Sequence, residues 1–87
     1  MNSQFFILQL TTINNFLGNE FTTATGTRKE SIAALMKESH KIMVKLEKLI
    51  VSERLNKHKM IQTLREKIEF DIETLKLHME QEGLNQN

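Results

Sequence analysis

The sequence predicts an all-α chain: an antiparallel hairpin of two long helices, over about 28–54 and 58–82, behind a short N-terminal helix or arm. Three observations carry that expectation. From Arg28 to Glu82 there is no Gly and no Pro, the residues that most strongly disfavour a helix interior. Apolar residues recur at helical spacing through Ile32, Leu35, Met36, Ile42, Met43, Leu46, Leu49 and Ile50, and again through Ile61, Leu64, Ile68, Ile72, Leu75 and Met79. Between these stripes, Ser52-Glu53-Arg54-Leu55-Asn56-Lys57-His58-Lys59 holds one apolar residue, and the phase breaks.

Each element has its own signal. Phe5, Phe6, Leu10, Ile13, Phe16 and Leu17 share one side of a helical wheel, which gives a short helix over about 4–17 ended by Gly18. Phe5-Phe6-Ile7-Leu8 is also a strand-like run, so a strand is the competing assignment. Phe21-Thr22-Thr23-Ala24-Thr25-Gly26-Thr27 has no charge and reads as a loop. Thr27-Arg28-Lys29-Glu30 fits a capping box and places the helix start at Arg28, although two cations there oppose the helix dipole.

The break near Asn56 has two explanations. A turn at Asn56, a residue tolerant of the left-handed conformation, gives two helices of about 40 Å at ~1.5 Å per residue. The alternative is one continuous helix buried only by a coiled-coil oligomer. The hairpin is preferred because near-equal lengths let both stripes bury each other. Gly83 marks the C-terminal end, with Leu84 folding back on Met79 and Asn85-Gln86-Asn87 fraying.

Composition narrows the function. With 87 residues, 12 Lys+Arg, 11 Asp+Glu and no Cys, the chain reads as one small domain, residues 1–23 forming the arm and 28–84 the hairpin. Cys-based disulfides, thiolate metal sites and thiol nucleophiles are excluded. His40, His58 and His78 are too far apart to share a helix face at i, i+4, and the serines lie in no nucleophile motif. In a hairpin turning at 55 or 56, His40 would face Asp71, most simply as a surface pair. Glu66, Glu69 and Glu73 line one face without convergent ligands, which is the pattern of a solvated acidic surface. The expectation is a non-enzymatic chain without cofactor or metal. The first basic residue is Arg28, so no secretory leader is read and a cytoplasmic location is expected.

Charge is unevenly placed. Residues 28–59 carry nine Lys/Arg and four Glu, and residues 60–87 carry three Lys/Arg and six Asp/Glu. Each long helix also has a second apolar strip facing away from its main stripe: Val44, Val51 and Leu55 on the first, Phe70 and Leu77 on the second. These five residues are the candidate partner-binding set, because apolar strips of this kind mark interfaces. Their expected covers are the Phe6/Leu10/Ile13/Leu17 face and the same strip on a second copy. The expected function is therefore a protein–protein interaction module working by helix–helix docking, as a homodimer or higher oligomer, with the protein partner unidentified. The alternative is a nucleic-acid-binding regulator using Lys37, Lys41, Lys45, Lys48, Lys57 and Lys59 on phosphates. The basic row lacks stacking aromatics, and the N-terminal segment lacks the cationic belt of membrane-surface helices.

Overall fold

The computed structural model describes residues 3–84. Three helices pack against each other: α1 (Ser3–Thr23), α2 (Gly26–Arg54) and α3 (His58–Gln81). They share one core cluster, and the molecule measures 45 × 20 × 19 Å. The expected fraying of 85–87 lies outside the described residues.

The two stripes supply the α2 and α3 side of the core, with Met36, Met43, Ile50, Ile61 and Leu64 only partly buried at its margin and two buried serines in the α2 series. Ile32, Leu35, Ile42, Leu46 and Leu49 of α2 meet Ile68, Ile72, Leu75 and Met79 of α3, all buried. Ser39 and Ser52 are buried in the same α2 series. Their hydroxyls are satisfied, as burial requires: Ser39 Oγ donates to Asn14 Oδ1 of α1 at 2.6 Å, and Ser52 Oγ donates to the Lys48 carbonyl at 2.8 Å.

The helix ends at Arg54 and a new one begins at His58, which excludes a continuous helix. Asn56 takes φ 54, and Lys57 N–H donates to the Ser52 carbonyl while Asn56 N–H donates to Glu53. That is the Schellman pattern with Asn in the left-handed position. Gly83 repeats it at φ 72, where Leu84 N–H reaches the Met79 carbonyl at 2.8 Å and Gly83 N–H reaches Glu80 at 2.9 Å. Leu84 and Met79 are both buried in the core cluster.

The N-terminal third departs from expectation. Helix α1 is neither a strand nor a 4–17 segment, because it passes through Gly18 and continues to Thr23. The interior cost of one Gly, about 1 kcal/mol, is outweighed by burial of Phe6, Leu10, Ile13 and Leu17 at 1 % exposure or less. Only Ala24 and Thr25 separate α1 from α2. The Thr27 capping box does not form: α2 begins at Gly26, whose φ of +59 reverses the chain, and the N-cap position is Thr25 without a side-chain cap bond.

The two cations at this helix start have other partners. Arg28 donates from an η nitrogen to the Glu82 carbonyl at the end of α3 (3.2 Å). A cation opposed to its own helix dipole thus sits on the negative end of another. Lys29 lies 4.6 Å over the Phe21 ring.

Polar contacts tie α2 to α3 in a consistent order. Arg28 meets Glu82, Glu38 meets His78, Lys45 meets Asp71, and Glu53 meets Arg65. Residue numbers rise on one helix as they fall on the other. The expected His40–Asp71 pair is absent, since His40 is exposed and Asp71 is held by Lys45 and Lys67. Glu38–His78 and Lys45–Asp71 are each centred on residue 58 and Glu53–Arg65 on 59, past the expected 55 or 56, whereas the Arg28–Glu82 contact at the far end is centred on 55.

Candidate interaction surface

The outer face of α2, continued by Leu55, carries Val44 and Val51 of the candidate partner set together with Lys37, Lys41 and Lys48 of the basic row. At ~100° per residue, Lys37, Lys41, Lys48, Val51 and Leu55 all fall within about 60° of Val44. The apolar strip and most of the basic row are therefore one surface, with lysines interleaved among Val44, Val51 and Leu55. Exposure agrees: Val51 is 52 % and Leu55 59 % exposed, while Lys37, Lys41 and Lys48 are also exposed. Lys45 lies on the flank and is engaged by Asp71.

Helix α3 adds to this surface at the turn. Val44, Glu47, Lys48, Val51, Ser52, Leu55, Lys57 and Met60 line an open groove of about 410 Å³. A second groove of about 680 Å³ is lined by Lys48, Lys57, His58, Lys59, Met60, Thr63 and Leu64. Lys48, Lys57 and Met60 belong to both. The result is an apolar floor with a cationic rim, interrupted in the first groove by Glu47 alone.

The second candidate strip lies elsewhere. Phe70, 64 % exposed, and Leu77 project from the outer face of α3. Glu66 and Glu73 fall within about 60° of Phe70 on the same wheel and are exposed. Lys67 lies 5.5 Å over the Phe70 ring on the other flank and pairs with Asp71 at 3.2 Å.

Between the outer faces of α2 and α3, Asp71 anchors a small charged cluster. Burial alone would push its carboxyl up, but hydrogen bonds and charge from Lys45 and Lys67 outweigh it and hold the group below its usual value. Glu38, Lys41, Ile42, Lys45, Asp71 and Thr74 line a pocket of about 160 Å³ there. Since the lysines already neutralise the carboxylate, the cluster serves as a strut between helices.

Helix α1 does not cover either outer strip. Its Phe6/Leu10/Ile13/Leu17 face is fully used in the core, mainly against α2, which corrects the expectation that this face shields Val44, Val51 and Leu55. Leu8, 67 % exposed, lies outside the candidate set, and Met60, expected from the sequence mainly as core filler though flexible enough to meet a partner, is exposed and lines the groove. The wheel position of Leu8, about 160° from Leu10, was the available signal for the first. Met60 required knowing which way the chain leaves the Asn56 turn.

Among the described residues, no group of three or more His, Cys, Asp or Glu side chains is arranged to hold a metal. No described helix is long and apolar enough to cross a membrane. The class these features define is a three-helix all-α chain with two charged, apolar outer strips. Comparison with family models, curated proteins and solved structures finds no match.

Proposed function

We propose that the chain is a non-enzymatic protein–protein interaction module, in which α2 and α3 form an antiparallel hairpin stiffened by α1 and dock other helices on their outer faces. The observation that carries this reading is the uncovered strip Val44, Val51 and Leu55, continued by Met60 across the turn. Apolar side chains one and two turns apart on one face are what a partner helix buries in helix-on-helix recognition. The order of the four α2–α3 polar pairs supports the antiparallel arrangement.

Photocrosslinking in host cells tests the module reading. A photoreactive residue at Val51 is expected to trap a protein adduct, with one at Glu30, an exposed position at the other end of α2, as the control. Adducts at position 51 that are no more abundant than those at position 30 would overturn the proposal. A second reading, phosphate binding, draws on the gathering of Lys48, Lys57 and Lys59 around one groove. It requires binding to labelled nucleic acid that weakens steeply with salt and with Lys48→Glu.

A further inference from the structure

We infer that the occupant of the α2 groove is the outer face of α3 from a second copy of this chain. The inference rests on the interaction-module reading and adds the partner. Its basis is complementarity between two surfaces present on the same molecule. Residues 37–59 hold seven Lys/Arg and three Glu, whereas residues 66–80 hold five Asp/Glu and two Lys. On α2, Lys48 and Lys57 border an apolar floor of Val44, Val51 and Met60. On α3, Glu66 and Glu73 border Phe70 and Leu77 along one edge, while Lys67 on the other edge lies over the Phe70 ring and is paired with Asp71. The apolar spacing also matches: Val44 to Val51 and Phe70 to Leu77 are each seven residues, about 10.5 Å along a helix. Two helices can therefore lie side by side with both apolar pairs in register.

Neither strip is suited to pairing with itself. Two α2 faces would set one lysine-rimmed strip against another, and two α3 faces would set the Glu66/Glu73 edge against an equally acidic one, so net like charge opposes both contacts. The contact is heterologous: a donor face on α3 meets a different, acceptor face on α2. Salt weakens the steering by exposed charges but leaves apolar burial in place.

The test is sedimentation of purified full-length chain with two double variants. Lys48→Glu/Lys57→Glu damages only the acceptor, and Glu66→Lys/Glu73→Lys damages only the donor. Both change exposed residues, and circular dichroism checks that both keep parental helicity. The parent is expected to rise above 10.2 kDa with concentration, and each variant alone is expected to remain at single-chain mass. Mixing the two restores opposite charge at both kinds of contact, intact acceptor with intact donor and the two reversed faces with each other, so a mixed complex of at least about twice the single-chain mass should appear. A parent that stays at single-chain mass overturns the inference, as does a variant that associates like the parent or a mixture without the complex. Single-chain mass together with a specific crosslink from position 51 to a different protein would reject the second-copy partner and leave the module reading standing. Absence of both would reject the two together.

Discussion

Nδ1 of His78 lies 2.9 Å from Oε1 and 3.0 Å from Oε2 of Glu38, so one imidazole nitrogen of α3 meets both carboxylate oxygens of an α2 residue. Lys45 and Asp71, seven residues along each helix, repeat the pairing. These contacts fix the relative sliding of α2 and α3. Their energetic weight is small, since His78 and Glu38 are both partly exposed and such pairs contribute about 1 kcal/mol or less.

Register is therefore better tested by distance than by stability. Spin labels at Lys41 and Thr74, which line the same small pocket, should lie within about 20 Å in one molecule, given interaxial spacings of ~8–10 Å. A continuous helix would separate the same positions by about 50 Å at ~1.5 Å per residue. Dilution with unlabelled chain removes any distance between copies, and a long remaining distance would refute the turn at Asn56.

The same substitution should have opposite signs at two glycines. Gly18 lies inside α1, and an added Cβ there meets nothing within 4 Å. Gly18→Ala should therefore stabilise by roughly 0.5–1 kcal/mol. At Gly83 the space is equally open, but φ is +72, so Gly83→Ala should destabilise by about 1–2 kcal/mol through backbone strain alone. Thermal melts of the two variants decide this, and equal shifts would contradict the assigned backbone.

Helix α1 is a core element, with a larger share of stability than an arm implies. Leu10 is 0 % exposed, and Leu10→Ala should cost about 2–5 kcal/mol. Were residues 1–23 only an arm, residues 28–84 would fold alone with reduced stability. Loss of four buried α1 side chains instead predicts a coil-like dichroism spectrum for that fragment at micromolar concentration. Retained helicity with a cooperative melt would show that α2 and α3 are self-sufficient.

Acid should weaken the Asp71 strut in a defined direction. Because its folded-state pKa is lowered, its contribution is complete above the ordinary carboxylate value and disappears as pH falls through the folded value. Asp71→Asn should be less stable than the parent at pH 7, and the difference should shrink below about pH 4. A difference independent of pH would mean that packing, not charge, accounts for the effect of the substitution.

What was legible in the sequence depended on local chemistry. The stripes, the turn at Asn56 and the Gly83 ending were readable because apolar period and left-handed tolerance are properties of single segments. The exposed strips on α2 and α3 followed from the same wheel. The start of α2 was misplaced by two residues because Gly26 reverses the chain before the Thr27 box can act, and Arg28 serves the end of α3 instead. Gly18 was overweighted as a stop, since its propensity cost is small beside the burial of Leu17. The His78–Glu38 pair depended on the tertiary register of two helices, which neither segment specifies alone.

Separation of a core strip from a docking strip on the same helix is tested most directly by placing one carboxylate on each side. Ile68 is 0 % exposed, and Ile68→Glu should abolish the folded state, because a buried unpaired carboxylate costs several kcal/mol, on the order of a small domain's whole stability. Val51→Glu and Leu77→Glu should keep the parent's helicity and melting temperature yet lower its solution mass across a concentration series. Both outer-face variants matching the parent in mass as well as in melting would contradict docking of a second copy on these strips.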